Sequence, residues 1–308
     1  MNNEEAVQSS YTGSVFRCRL QNVRSLVNLL RAIQFKERAV CTITSNGLKF
    51  SVEESRCVQA HAYLQSSLFQ EYQFDAPISS INSQEDIIFG VQLNTLIECL
   101  NIFGTANVNQ LNNTTATNGT ASTMPIFKSQ TALVMSYEGY GANLVLTLEE
   151  NGVITVCKLS TFEPENLLTF NFQEYSITQK IIMKSEWLRD ALSELDISSE
   201  KITFLISPQP PYFRMSTIGI SGSTEMDYPR DTDVLESFYC TETMSNCYKL
   251  SQVQHALKAL GFSSKTSIRT NEKGFLAMQF MIPTETEISF VELLCSPLEI
   301  DLNEQEAQ

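Results

Sequence analysis

Histidine, the most common proton-transfer residue and metal ligand of enzymes, is almost absent from this 308-residue sequence. The two histidines, His61 and His255, have no neighbours in the sequence that would complete a triad or a zinc motif. The eight cysteines form no CxxC pair, and most lie in apolar runs such as AVCTIT, VITVCKL and VELLC. We therefore expect reduced, buried thiols, no disulfides, no metal and no cofactor.

Long apolar segments are also missing. No run approaches the roughly 18 residues that a membrane span requires. The N-terminal segment MNNEEAVQSSYTGS lacks the basic start and apolar stretch of a signal peptide. We therefore expect no membrane contact and a cytosolic or nuclear location.

Positive charge is scarce, with 21 Lys and Arg against 35 Asp and Glu, a net charge of −14. This balance argues against a protein that coats nucleic acid with its whole surface, but it allows a small basic face. The deficit is uneven. Residues 1–160 hold 10 basic and 13 acidic residues, a net charge of −3. Residues 161–308 hold 11 basic and 22 acidic residues, a net charge of −11.

Short runs rich in Val, Ile, Phe, Tyr and Thr make up most of the sequence and are typical of strands. Examples are VFRCRLQ, ERAVCTIT, GLKFSVE, DIIFGVQL, ANLVLTLE and GVITVCKL. Asn46-Gly47 and Asn151-Gly152 each separate two such runs, which predicts hairpins. Helical spacing occurs in only four segments, at about 22–34, 93–103, 185–195 and 251–260.

These helical segments form two pairs. Leu93, Leu96, Leu100, Phe103 and Gly104 match Leu250, Val253, Leu257, Leu260 and Gly261 at one offset (250 − 93 = 157). The match predicts an apolar stripe ended by a C-cap glycine in each copy. The other pair places Leu26, Leu29, Leu30 and Ile33 on Leu188, Ala191, Leu192 and Leu195. The repeated order of strands and helices predicts an internal duplication.

The duplication predicts two domains, residues 15–158 and 169–297, joined by a connector at 159–168. We expect a flexible N-terminus at 1–14 and an acidic tail at 298–308. The segment 105–131 is rich in Asn, Thr and Ala and poor in charge. It is predicted to be a flexible surface loop within the first domain.

Basic residues are concentrated on two of the helical segments. Arg24, Asn28 and Arg31 fall on the helix face opposite Leu26, Leu30 and Ile33. The stretch 249–269 contains Lys249, Lys258, Lys265 and Arg269 and no acid. Such a face suits sequence-independent contact with phosphates, and the alternative is an ordinary solvated helix face.

Several motifs carry a family resemblance. The run GVQLNTL at residues 90–96 resembles the strand-to-helix signature of proliferating cell nuclear antigen and other eukaryotic sliding clamps. Most of residues 15–295 is more similar to the Rad-one family of checkpoint-clamp subunits. The motifs that carry this similarity are AIQFKERAVCTITSNGLKFSVEESRCVQA, LFQEY, ECLNIFG, SYEGYG, LEENGVITVCK, SELD, MDYPRDTDVLESF and SIRTNEKGFL.

The resemblance implies an α+β DNA-clamp fold, in which two duplicated domains of antiparallel sheet each supply two helices to the lining of a ring. It implies a non-catalytic subunit of a heterotrimeric checkpoint clamp that encircles double-stranded DNA without sequence specificity. It also implies two homologous ring partners, a clamp-loader complex, docking of checkpoint and repair proteins, and a nuclear location.

The resemblance also suggests candidate site residues. The DNA-facing candidates are Arg24, Arg31, Arg189, Lys258 and Lys265. In the helix SEWLRDAL, Arg189 keeps one of two inward basic positions and Glu186 replaces the other. The partner-binding candidates are Leu159 and Phe162 of the connector, with Val58, Leu294 and Pro297 nearby, or these are plain core and edge residues. Free strand edges are expected near 152–158 and 222–228, with ring-interface candidates Gly152, Val156, Ser223 and Met226.

Two other classes of function stay open. One, which the resemblance implies because a family member has been credited with exonuclease activity, is a 3′–5′ exonuclease. Metal-dependent nucleases need converging carboxylates, and the local candidates are Asp227, Asp231 and Asp233. The Pro-Arg turn between them favours an exposed hairpin connection instead. The other is a pure protein-interaction scaffold that never touches DNA.

Overall fold

Antiparallel strands dominate the chain. The structure, a computed structural model, describes residues 14–75, 78–79, 83–84, 86–104, 130–230, 233–284 and 287–299. The N-terminal segment 1–13, most of the Asn/Thr-rich segment and residues 300–308 therefore lie outside the described residues. In the described ranges, no helix is long and apolar enough to cross a membrane.

The first half of the chain, residues 14–159, contains eleven strands and two helices among its described residues. They are β1 (Phe16–Leu20), α1 (Arg24–Ala32), β2 (Arg38–Thr44), β3 (Gly47–Glu54), β4 (Val58–Gln65), β5 (Glu71–Phe74), β6 (Ile78–Ser79), β7 (Ser83–Gln84), β8 (Ile87–Gln92), α2 (Leu93–Leu100), β9 (Ala132–Tyr137), β10 (Leu144–Glu150) and β11 (Val153–Leu159).

The second half, residues 169–299, contains nine strands and three helices among its described residues. They are β12 (Ile177–Lys184), α3 (Ser185–Glu194), β13 (Lys201–Ile206), β14 (Phe213–Gly219), β15 (Gly222–Tyr228), β16 (Leu235–Cys240), β17 (Met244–Lys249), α4 (Leu250–Val253), α5 (Ala256–Leu260), β18 (Lys265–Asn271), β19 (Leu276–Pro283) and β20 (Ile288–Cys295).

The strands pair in the same order in both halves. Five strands of the first half follow the order β11-β10-β9-β1-β5, and five of the second follow β20-β19-β18-β12-β16. Four more follow β4-β3-β2-β8 in the first half and β15-β14-β13-β17 in the second, and β6 and β7 form a separate two-stranded sheet in the first half. Strand β20 also pairs with β4, so the second half's five strands and the first half's four form one nine-stranded sheet. The sheet therefore joins the two halves.

Alternating burial explains how the strands build the core. In β1, Phe16, Cys18 and Leu20 are buried while Arg17 and Arg19 are exposed, because successive side chains of a strand point to opposite faces. The same alternation runs through β9, β10, β13 and β14. The core thus lies between the sheets and the apolar faces of the helices.

The two hairpin motifs behave differently. Asn151 and Gly152 form a two-residue turn with φ of 52° and 81°, the left-handed pair that a type I′ turn requires. In the other hairpin, Thr44 pairs with Gly47, so the turn residues are Ser45 and Asn46 and the glycine already belongs to β3. The predicted hairpin forms, but its turn lies one residue earlier than the motif indicates.

The predicted helices form within narrower bounds, and the fourth is broken. Segment 251–260 forms two short helices, α4 and α5, separated at Gln254 and His255. The predicted glycine caps are wrong in detail. Gly261 follows α5 with φ of −66°, a right-handed conformation, and α2 ends four residues before the left-handed Gly104.

Candidate nucleic-acid interface and partner surfaces

The helices form one layer in the order α2, α1, α5, α3, with each pair of neighbours in contact. Each helix buries most of its apolar side chains, with Trp187 of α3 46% exposed as an exception, and leaves polar ones at the surface. We call that polar surface the helix face, defined by Arg24, Asn28, Arg31, Glu98, Glu186, Arg189, Asp190, Glu194 and Lys258. Both halves of the chain therefore contribute to one surface.

The face of α1 is basic. Leu26, Leu30 and Ile33 are fully buried, whereas Arg24, Asn28 and Arg31 on the opposite side are partly exposed. The helix contains no acidic residue, and no carboxylate in the described part of the chain pairs with Arg31. This part of the helix face can attract phosphate groups.

The other three predicted DNA-facing residues are held by protein groups. Arg189 donates from Nε and Nη2 to Oδ1 of Asp190 at 3.0 and 2.9 Å, and Lys265 pairs with Glu236 at 2.6 Å. The Lys258 ammonium donates to the main-chain carbonyl of Gln34, and burial lowers its pKa. Lys258 therefore ties α5 to the end of α1.

The surface of α3 is acidic. Glu186, Asp190 and Glu194 are exposed, and Arg189 is engaged by Asp190. Exposed ion pairs of this kind are weak, so a phosphate could compete for Arg189. Even so, the acids outnumber the single cation of this helix, and α1 is the stronger candidate for contact with nucleic acid.

A polar network joins the halves beneath the helix face. His255 bonds Glu54 at 2.7 Å and its ring stacks on Phe35 at 4.2 Å, while Lys36 pairs with Glu54 at 3.2 Å. The hydrogen bond from His255 is the main reason that the pKa of Glu54 lies below its usual value. Sequence reasoning missed this network because its members lie up to 220 positions apart (255 − 35 = 220) and no local pattern marks them.

Two of the sheet edges in the described part of the chain, β11 and β15, lie at the positions predicted for the ring interface. Strand β11 is an edge of the five-stranded sheet, and its side chains Val153, Ile154 and Val156 are 57%, 64% and 55% exposed. Strand β15 is an edge of the four-stranded sheet and carries polar side chains, including Glu225 and Asp227.

The predicted ring-interface residues lie on or beside these edges. Gly152 lies in the turn before β11 and Val156 within that strand, and Ser223 and Met226 lie on β15. Gly152, Val156 and Ser223 are exposed, whereas Met226 packs partly against the core.

The connector is fixed to the sheet at two points. Phe162 and Gly90 exchange main-chain hydrogen bonds at 2.8 and 3.1 Å, and the Arg38 guanidinium lies 5.0 Å from the centre of the Phe162 ring. Farther along, Leu168 N–H donates to Glu53 at 2.6 Å and its carbonyl accepts from Gln59 at 2.5 Å. Gly90 is required at its position, because a Cβ there would lie 2.2 Å from the Phe162 ring.

A groove of about 530 Å³ lies between the connector and the sheet, lined by Leu167, Leu168, Phe170, His61 and Leu294 among others. We call it the connector groove. Burial lowers the pKa of His61 to about 4, and its Nδ1 lies 2.9 Å from Ser51 Oγ. The histidine is therefore neutral near pH 7.

The partner-binding candidates divide between core and surface. Val58 and Leu159 are 0% and 5% exposed, so they belong to the core and are not available to a partner. Leu294 is 6% exposed but reaches the connector groove, and Phe162 and Pro297 are partly exposed. Sequence reasoning missed Leu167, Leu168 and Phe170, although this apolar run follows the acidic part of the connector in the sequence.

The predicted carboxylate cluster has little support. Asp227 is bound by Arg214 at 2.6 and 2.8 Å, which lowers its pKa. Asp233 is exposed, and Asp231 lies outside the described residues. Within the described ranges, no three His, Cys, Asp or Glu side chains lie close enough to hold a metal ion.

Comparison with known proteins gives one family. The model of the family described as "Repair protein Rad1/Rec1/Rad17" matches residues 15–282. A human protein named "Cell cycle checkpoint protein RAD1" is 44% identical over 279 residues, which cover 90% of this chain and 90% of the relative.

Two fungal relatives carry different names. The Schizosaccharomyces pombe "DNA damage checkpoint control protein rad1" is 32% identical, over 95% of this chain and 89% of its own length. The Mycosarcoma maydis "DNA repair exonuclease REC1" is 24% identical, over 86% of this chain and 87% of its own length.

Proposed function

The chain belongs to the Rad1/Rec1/Rad17 repair-protein family, and on that premise we propose that it is a subunit of a ring-shaped DNA-damage checkpoint clamp. In this proposal the helix face lines a central hole that encircles duplex DNA, and two related subunits complete the ring. A clamp-loader complex places the ring on DNA, and checkpoint and repair proteins dock on its outer surface. These roles locate the protein in the nucleus.

We infer that the two halves are copies of one clamp domain. The identical pairing orders of the five-stranded and four-stranded sets support this, as does the matching position of a helix after β1 and β12 and after β8 and β17. The proposed domains are residues 15–158 and 169–297, with the connector between them. At the junction of the halves, α1 then lies beside α5, which belongs to the copy of α2, in a continuous layer.

The single observation that carries the ring proposal is that β11 and β15 each end a sheet and have no further strand beside them within the described residues. Unpaired edges are templates for strand addition and are normally covered in a working assembly. The two edges are chemically unlike: β11 presents Val153, Ile154 and Val156, whereas β15 presents Glu225 and Asp227. Because an apolar edge complements an acidic one poorly, this chain is suited to two different neighbours.

Ring composition is tested by native mass spectrometry of the chain co-expressed with two related clamp subunits. We expect a 1:1:1 complex, and a monomeric or aggregating chain when it is expressed alone. A stable homotrimer at micromolar concentration would contradict the mixed ring.

We propose that Arg24 and Arg31 of α1 supply this subunit's main contacts with DNA. Each phosphate contact contributes roughly 0.9 to the slope of log affinity against log salt, so Arg24→Ala/Arg31→Ala should reduce that slope by about 1.8 in the assembled ring. The control is Arg17→Ala/Arg19→Ala, which removes the same charge from exposed positions on β1.

The two variants distinguish the binding models. A reduced slope for the α1 variant alone supports the proposal. Equal reductions would mean a general effect of charge, and no change in slope or affinity would favour a protein-interaction scaffold that does not touch DNA.

The proposed subunit is non-catalytic. The name of the Mycosarcoma maydis relative keeps exonuclease activity as the alternative. What favours a non-catalytic role is that Asp227 is engaged by Arg214 and held away from free metal coordination. Purified chain should not degrade DNA with Mg²⁺ or Mn²⁺, whereas activity that survives purification and is lost in Asp231→Asn would establish the alternative.

We further propose that partners dock in the connector groove, where Leu167, Leu168 and Phe170 offer apolar contacts next to Leu294. Leu168→Glu should weaken binding of checkpoint and repair partners to the ring without preventing its assembly, since Leu168 is 43% exposed.

A further inference from the structure

A second groove, of about 720 Å³, lies on the outer side of the second half. Its floor is the surface of β13, β14 and β17 opposite the core, and one wall is the chain that follows β20. We call it the tail groove, defined by Thr203, Ser216, Ile218, Ile220, Cys247 and Leu298.

The tail groove occupies the same place in the second half as the connector occupies in the first. Thr203 pairs with Ser216 and Cys247, so these three small side chains form a row across the sheet. In the first half, Val40 pairs with Ser51 and Gly90 in an equivalent row. The offset that aligns α2 with α4 also aligns Gly90 with Cys247 (90 + 157 = 247).

The two rows are covered differently. In the first half, Phe162 lies three residues after the end of β11 and exchanges two hydrogen bonds with Gly90, over which its ring packs. In the second half, Leu298 lies three residues after the end of β20, and its N–H donates to the carbonyl of Cys247 at 2.7 Å. A leucine thus replaces the phenylalanine and a cysteine replaces the glycine, and the groove stays open beside them.

The rim of the tail groove is apolar and acidic. Ile218 and Ile220 are 75% and 92% exposed, a large exposure for neighbouring isoleucines. Exposed apolar patches with a polar rim commonly mark binding sites. Two carboxylates, Glu200 and Glu299, and one cation, Lys201, line the same groove.

We infer that the tail groove is a second docking site, for an extended segment of another protein that carries a large apolar side chain flanked by lysine or arginine. The apolar side chain packs between Ile218, Ile220 and Leu298, and the basic residues approach Glu200 and Glu299. The small hydroxyl side chains of Thr203 and Ser216 leave room for the backbone of the segment.

Charge argues against the chain's own C-terminal residues as the occupant. Residues 300–308 carry Asp301, Glu304 and Glu306 and no basic residue. Like charges would oppose Glu299 and Glu200 across the groove. A basic partner segment matches both carboxylates.

The test uses the purified full-length chain and a displayed library of random nine-residue peptides. Peptides are selected on the wild-type chain and counter-selected on Ile218→Glu/Ile220→Glu. Both isoleucines are largely exposed, so this change should leave the fold intact. The matched control is Ile102→Glu/Ile288→Glu, which alters two exposed isoleucines elsewhere.

We expect the selected peptides to be rich in aliphatic or aromatic residues and in lysine or arginine. They should bind the wild type and the control equally and the groove variant at least tenfold more weakly. A bound peptide should also slow alkylation of Cys247, which lines the groove.

Three outcomes would overturn the inference. Either no selected peptide discriminates between the wild type and the groove variant, or the selected peptides are rich in acidic residues. The third outcome is that peptides bind at least tenfold more tightly to a chain truncated after Glu299. The last result would identify the chain's own C-terminal residues as the occupant. Because one chain supplies the whole lining, failure of the ring to assemble would leave this test standing.

Discussion

Replacing Gly90 with alanine should release the connector from the sheet. A Cβ at this position would lie 2.2 and 2.3 Å from two carbons of the Phe162 ring, so the ring has to leave. The connector would then lose two main-chain hydrogen bonds of 2.8 and 3.1 Å and the contact with Arg38. Hydrogen bonds contribute about 0.5–1.5 kcal/mol each and an exposed cation–π contact about 0.5–1 kcal/mol. The free energy of local opening should therefore fall by about 2–4 kcal/mol.

Hydrogen exchange measures this opening directly. A loss of about 2–4 kcal/mol corresponds to exchange of the Gly90 and Phe162 amides roughly 30-fold to 1000-fold faster than in the wild type. Global stability should change less, because alanine suits a strand better than glycine and the core is untouched.

A double variant provides the control. Phe162→Ala should also speed exchange, but Gly90→Ala added to Phe162→Ala should have little further effect, because the clashing ring is already gone. Additive effects of the two changes, or exchange rates in Gly90→Ala within threefold of the wild type, would refute the reasoning.

Three further predictions concern stability and assembly. The pKa of Glu54 is lowered in the folded state, so the carboxylate's contribution to the free energy of unfolding is present above its unfolded pKa of about 4.3 and is lost as pH falls through the folded pKa. In urea unfolding, the stability advantage of the wild type over Glu54→Gln should therefore shrink below about pH 4.3. A stability difference that does not change with pH would contradict this. Tyr248→Phe removes a buried hydroxyl that donates to the Gly274 carbonyl at 2.8 Å. Because the carbonyl loses its partner, the free energy of unfolding should drop by about 1–3 kcal/mol. An unchanged midpoint of urea unfolding would contradict this prediction. Ile154→Asp/Val156→Asp should abolish the 1:1:1 complex in native mass spectrometry. The two sites are exposed, so each substitution should change the free energy of unfolding of the lone chain by about 0.5 kcal/mol or less. Intact assembly of this variant would exclude β11 as the ring edge.

Much of the fold follows from the sequence because its information is local. The period-two alternation of β1 and β10 specifies which side chains are buried, and the three-and-four spacing of α1 separates Leu26 and Leu30 from Arg24 and Arg31. Asn151-Gly152 specifies its own turn, since both residues tolerate positive φ. The basic face of α1 could be predicted for the same reason, whereas the free edge at β11 is an expectation that only the family resemblance supplied.

Only the tertiary structure decided which charged groups meet. Lys258 and Lys265 have the right residue type for a basic face, yet the Gln34 carbonyl and Glu236 engage them. The partners of Lys258 and Lys265 lie 224 and 29 positions away.

The same holds for the connector and the junction between the halves. Val58 is a core residue because β20 pairs with β4, and Leu159 is one because β10 pairs with β11. The connector's position on the sheet depends on Gly90, because only a residue without a side chain leaves room for the Phe162 ring. Glu54 and His255 meet because the halves are joined through one sheet. Residue patterns along the chain determined the local elements, whereas contacts over long separations depend on how those elements pack, which no local pattern encodes.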